Sequence, residues 1–112
     1  MNNFFILGVI FCLFLVGCSQ QTKQLEQKQA TGNSVVIENF AFNPTELTIN
    51  VGDTVTWKNQ DSAPHTIKTV NNEFESNNLN KGDEFGFKFD KAGEYNYICS
   101  IHPSMKGKIT AR

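Results

Sequence analysis

The sequence predicts an all-β fold, an antiparallel β-sandwich of about seven short strands. Three observations point to it. Beyond residue 33, apolar and polar residues alternate in short runs separated by Gly, Pro, Asn and Asp, as half-buried strands require. No stretch keeps a helical period. Phenylalanine is abundant, with ten in 112 residues, and many of these aromatic side chains fall in the alternating runs. The length leaves room for one domain and little else.

Residues 1–17 stand outside that pattern. Phe4–Val16 is an apolar run of thirteen residues, short for a membrane-spanning helix and about right for a signal-peptide core. It closes on Leu15-Val16-Gly17-Cys18, which resembles a bacterial lipobox, in which the cysteine is lipidated and becomes the first mature residue. Met1-Asn2-Asn3 departs from the usual signal in carrying no Lys or Arg. An uncleaved membrane anchor is the competing reading. Residues 18–33 are rich in Gln, Lys, Thr and Glu, with Leu25 the single large apolar residue, so they read as a lipidated cysteine followed by a flexible tether. A coil of that length spans about 20 Å.

The folded domain is expected over 34–112. Val35–Phe40 forms a first strand, and Asn43-Pro44 turns the chain into Glu46–Val51, which places Leu47, Ile49 and Val51 on one face. Gly52-Asp53 turns into Thr54–Lys58, where Val55 and Trp57 point inward. His65–Val70 follows, then an Asn-rich stretch to Asn80. Lys81-Gly82-Asp83 leads into Glu84–Phe89, with Phe85, Phe87 and Phe89 in register. Ala92-Gly93 leads into Glu94–Cys99, and Gly107–Ala111 closes the chain.

The chemistry gathers at the C-terminus, in Cys99-Ser100-Ile101-His102-Pro103-Ser104-Met105, with Pro64-His65 upstream. Cys12 leaves with the signal and Cys18 carries lipid, so Cys99 is the single free thiol of the mature chain, in an extracytoplasmic and oxidising setting. Strand phase puts Tyr95, Tyr97 and Cys99 on one face, and His65 on a face with Ile67. Both ligands then lie where interior strands run out, at one end of the sandwich, and His102 and Met105 follow in a loop too short to leave the thiolate. A thiolate, two imidazoles and a weak thioether form the ligand set of a redox-active copper ion.

From Phe40 onward the chain resembles the cupredoxins, the small blue-copper proteins that include plastocyanin and amicyanin. The matching residues are Phe42-Asn43-Pro44, Val51–Trp57, Pro64-His65-Thr66, Gly93-Glu94-Tyr95 and the Cys99–Met105 loop running into Lys106-Gly107. The resemblance implies a Greek-key sandwich holding one copper ion, with His65, Cys99 and His102 as equatorial ligands and Met105 as the axial one. It also implies one-electron exchange with donor and acceptor proteins by a monomer. The family's port is the equivalent of His102 in an apolar patch, which Ala63, Pro64, Ile101 and Pro103 are placed to form here. Thr66 departs from the asparagine that ties the ligand loops in plastocyanin and amicyanin, leaving the support of the ligands open.

Other classes find less support. Ten basic and eleven acidic residues give no basic stripe for nucleic acid. Methionine is a poor fourth ligand for structural zinc, and a Cys99–His102 nucleophilic dyad lacks any marker of an orienting group or oxyanion site. Cys-x-x-Cys-His, the haem attachment motif, is missing. After His65 and His102 no histidine remains for the additional copper centres of oxidases or reductases. Two binding alternatives stay open: copper storage or delivery at the cell surface, and a metal-free adhesion domain.

Overall fold

The computed structural model describes residues 33–112, so the expected signal, the Cys18 lipidation site and nearly all of the expected tether lie outside the described residues. Eight strands form two four-stranded sheets: β1 Ser34–Glu38, β2 Ala41–Asn43, β3 Glu46–Ile49, β4 Thr54–Asn59, β5 Lys68–Thr69, β6 Glu84–Lys88, β7 Gly93–Ile98 and β8 Lys106–Ala111. One sheet has the order β2-β1-β4-β6, the other β3-β8-β7-β5. The all-β sandwich is as expected, with two refinements. β1 runs parallel to β4 (Val35 opposite Trp57, Ile37 opposite Asn59), and β3 runs parallel to β8 (Leu47 opposite Ile109). Each sheet is therefore mixed. The expected first strand is also two, because the chain reverses at Asn39-Phe40 and β2 returns along β1 with Glu38 opposite Ala41.

Alternation builds the core as the pattern requires. Val35 and Ile37, Val55 and Trp57, and Tyr97 and Cys99 are all buried between the sheets. Trp57 lies at the centre, edge-on to Tyr97 at 5.4 Å between ring centroids and tilted against Phe85 and Phe89. Phe89 is fully buried, whereas Phe85 and Phe87 are half-buried and pack against the core from the β6 edge. The second residue of β8 is Gly107, where a β-carbon would run into the Tyr97 ring, so no other residue fits without displacing Tyr97.

Two expected strand ends are corrected. Val51 is 43% exposed: β3 stops at Ile49, and Asn50–Asp53 is a turn in which Asp53 N–H bonds Asn50 C=O and Gly52 takes φ +98°. The expected strand His65–Val70 shrinks to Lys68–Thr69, with His65 in an isolated bridge to Leu79. The physical reason lies in the donors. Thr66 N–H points to the Cys99 sulfur and Ile67 N–H to Ser76 Oγ, so neither is available to extend a ladder.

Because β1 and β4 are parallel, their C-terminal ends meet at one pole of the sandwich. The turn after β1, the loop after β4 and the 99–105 loop between β7 and β8 gather there. That pole holds the candidate site.

Candidate metal centre

Cys99 follows directly on β7, and the loop behind it closes at once. Met105 N–H bonds His102 C=O (2.9 Å), Cys99 N–H bonds Met105 C=O (3.2 Å), and the β7–β8 ladder resumes with Ile98 opposite Lys106. Cys99 and Met105 are buried, and His102 is half-buried at the surface. His65 is fully buried and reaches the same point from the loop after β4. Its Nδ1 lies 3.7 Å from Cys99 Sγ, and His102 Nδ1 lies 3.9 Å from it. The three donor atoms fall within 4.8 Å of one another. His65, Cys99 and His102 are thus brought together, and Met105, buried, is tied to Cys99 and His102 through its backbone.

His65 is oriented by residues that sequence reasoning did not single out. Asn59, fully buried at the end of β4, donates through Nδ2 to the carbonyls of Ala63 (2.9 Å) and Leu79 (2.8 Å), and its Oδ1 accepts Asp61 N–H. The backbone of His65 is pinned twice to Leu79. The Asp61 carboxylate then meets His65 Nε2 at 2.9 Å. Burial acts to raise the Asp61 pKa, but the Phe40 N–H, the His65 ring and the Asn39 N–H outweigh it and hold the carboxyl below its ordinary value. An ionised carboxylate accepts, so Nε2 carries the proton and the Nδ1 lone pair faces the sulfur. No spacing rule connects Asn59 or Asp61 to a metal site; the signal is the loop they brace.

Thr66 answers the question raised by its departure from asparagine. It is buried, and its N–H donates to Cys99 Sγ at 3.3 Å. Its Oγ1 accepts Ser100 N–H at 2.8 Å and pairs with Ser100 Oγ at 2.7 Å. Two hydroxyls therefore do the joining of the two ligand loops. Burial acts to raise the Cys99 pKa, but hydrogen bonds from Thr66 N–H and from His102, ring and backbone, prevail and bring it down to about 6. The sulfur is thus held as the thiolate that a metal requires at neutral pH.

The surface above the ligands is apolar. Pro64, Ile101 and Pro103 are exposed, and Ala63 is half-buried. Sequence reasoning missed Phe40, which belongs with them. It is 52% exposed, and its ring stands edge-on to both imidazoles, 5.2 Å from His65 and 5.1 Å from His102. The reason for missing it is local: with no glycine at Asn39-Phe40, alternation reads straight through the turn.

A preformed, buried thiolate flanked by two imidazole Nδ1 atoms, with a methionine in the same closed loop, fits copper by the softness of its donors. The comparisons with known proteins agree. The cupredoxin-like domain family matches residues 8–111. The chain is 32% identical to amicyanin-alpha of Methylorubrum extorquens over 90 residues, covering 76% of each chain. It is 38% identical to plastocyanin of Scenedesmus fuscus over 86 residues, covering 65% of this chain and 88% of the plastocyanin. The solved structure of a purple cupredoxin from Nitrosopumilus maritimus superposes with a TM-score of 0.66 at 38% identity, covering 70% of this chain and 98% of that one. The chain belongs to the cupredoxin family, and its cofactor is one copper ion.

Proposed function

We propose that this cupredoxin is a one-electron carrier working outside the cytoplasm, its copper held by His65, Cys99, His102 and Met105. The observation that carries the reading is the convergence of Cys99 Sγ and two imidazole Nδ1 atoms within 4.8 Å, on a scaffold already locked by hydrogen bonds. Bound copper supplies the Cu(I)/Cu(II) couple. The protein keeps its ligands still while charge changes. His65 is fixed by Asp61 and Leu79, the sulfur by Thr66 N–H, and the loop by the Met105 backbone. Burial of His65, Cys99 and Met105 excludes water, while half-buried His102 leads out through the apolar surface of Phe40, Pro64, Ile101 and Pro103 to donor and acceptor proteins. Both histidines of the chain serve this one site, which favours a carrier over a copper enzyme.

The same reading places the protein as a monomer tethered to a membrane through a lipid on Cys18, with residues 1–17 removed. Mass spectrometry of the native N-terminus tests this part, and an unmodified Met1 sinks it. For the site, the full chain is titrated with Cu(II) and its visible spectrum recorded. An intense thiolate-to-copper band is expected, and Cys99→Ser removes it. A colourless wild-type protein ends the copper-carrier reading. The exposure of His102 also suits a second role, delivery of copper at the cell surface; transfer to an apo-acceptor faster than electron exchange with any redox partner favours that role.

A further inference from the structure

The turn that carries Phe40 is built against the preference of its residues. Asn39 and Phe40 both have φ near +55°, the positive-φ pair that a two-residue hairpin turn needs and that glycine normally supplies at the second position. A side chain with a β-carbon in that region crowds the neighbouring carbonyl oxygen and is disfavoured. Something must hold it, and the holder is Asp61. Oδ1 accepts Asn39 N–H at 2.8 Å, and Oδ2 accepts Phe40 N–H at 2.9 Å. The same Oδ2 receives His65 Nε2 at 2.9 Å. Asp61 itself is fixed by its N–H on Asn59 Oδ1 at 2.9 Å. One carboxylate of the loop after β4 thus joins the β1–β2 turn to the imidazole of His65 in its own loop.

We propose that Asp61 is a positioning residue that couples the exposed Phe40 turn to the His65 ligand, so that the surface aromatic and the buried imidazole are set by a single group. This rests on the copper reading of the site. The logic is donor counting. A carboxylate presents acceptors only, so it can take two amide N–H groups and an imidazole N–H together. An asparagine at 61 cannot, because with its oxygen in the Oδ1 place it keeps Asn39 N–H alone, and its NH2 then faces both Phe40 N–H and His65 Nε2. Nε2 must become the acceptor, the ring proton moves to Nδ1, and the lone pair no longer faces Cys99. Alternatively the oxygen takes the Oδ2 place and keeps both His65 Nε2 and Phe40 N–H, and Asn39 N–H loses its acceptor. Either way the two sides cannot both be satisfied. Displacing Phe40 at the surface pulls on the same oxygen that orients the ligand.

The experiment needs no bound metal for its first arm. Imidazole nitrogen NMR of the metal-free full chain, at a pH where the histidines are neutral, reads the tautomer of His65 directly. Amide hydrogen exchange reads Asn39 and Phe40. In the wild type, His65 carries its proton on Nε2 and both amides are protected. In Asp61→Asn, either His65 shifts to the Nδ1–H form and the Phe40 amide loses protection, or the Asn39 amide loses it, while amides in β7 and β8 keep theirs. Copper affinity, measured against a coloured chelator, falls about 10–100-fold. Asp61→Glu retains an acceptor-only group and recovers the His65 tautomer, which a merely structural role for the side chain does not require. An Asp61→Asn protein with unchanged tautomer, amide protection and affinity overturns the proposal. If that variant does not fold, the wild-type measurement decides, since a His65 proton on Nδ1 overturns it equally. A wild type that meets the NMR expectation but gives no blue colour with Cu(II) leaves the clamp standing and removes the copper reading instead.

Discussion

The two imidazoles of the site present nearly the same distance to Cys99 and could hardly be supported more differently. His65 is fully buried, its backbone is paired with Leu79, and its outer nitrogen lies on a carboxylate. His102 is half-buried, sits in the 99–105 loop, and depends on that loop's own backbone bonds. One ligand is anchored by the fold and the other by a short loop at the surface. The contrast separates two tasks. Rigidity comes from the side that water does not reach, and exchange with the outside is left to the ligand that a partner can touch.

Removing each ring in turn should break this contrast most visibly. His102→Gly opens a hole at the surface that dissolved imidazole can refill, so the thiolate-to-copper band should return when imidazole is added. His65→Gly leaves its hole under Phe40 and Leu79, and the band should stay absent under the same conditions. Equal rescue of the two variants, read by visible absorption, would abolish the distinction between anchored and exposed ligand.

A smaller effect is expected where the two sides are joined. Thr66→Val keeps the shape but removes the oxygen that accepts Ser100 N–H and pairs with Ser100 Oγ. Losing these part-buried hydrogen bonds costs about 0.5–1.5 kcal/mol each, measurable as a lower urea midpoint of the metal-free protein. Thr66→Ser should recover most of that loss, since it returns the oxygen.

The floor beneath the loop gives a pH test. Burial pushes the Tyr97 hydroxyl from 10.0 up to about 12. The folded protein therefore keeps Tyr97 neutral where the unfolded chain ionises it. That contribution is complete below pH 10, and it is lost progressively as pH rises from 10 toward 12. Equilibrium unfolding across that range should show the decline, and Tyr97→Phe should flatten it. The mildest change is at the rim: Ile101, 41% exposed, replaced by Glu should slow electron exchange with a redox partner several-fold while leaving the blue band in place. Stopped-flow rates equal to wild type would mean that electrons leave by another face.

What the sequence made legible was whatever depends on local period and spacing. Alternation placed Val55, Trp57, Tyr97 and Cys99 inside, and the short Cys99–Met105 spacing put three candidate ligands in one loop. What it concealed depends on partners distant in the chain. Asp61 acts on a turn 21 and 22 residues away, and Asn59 on a carbonyl 20 residues away. Neither has a periodic signature. Phe40 was hidden because a residue with a β-carbon took a glycine's conformation, and Val51 was misplaced because alternation does not announce where a strand stops.

The parallel pairing of β3 with β8 bears on how the chain acquires its shape. Residues 46–49 find their neighbours only at 108–111, near the far end of the sequence. Contacts of such separation close late, since a long stretch of chain must be ordered before they form. During synthesis, β3 waits for residues 108–111 to emerge, and until β8 arrives the loop bearing Cys99, His102 and Met105 has no second strand to shut against. Folding and assembly of the metal cradle therefore finish together, and a nascent or shortened chain offers a metal ion loose side chains with no cradle to hold it.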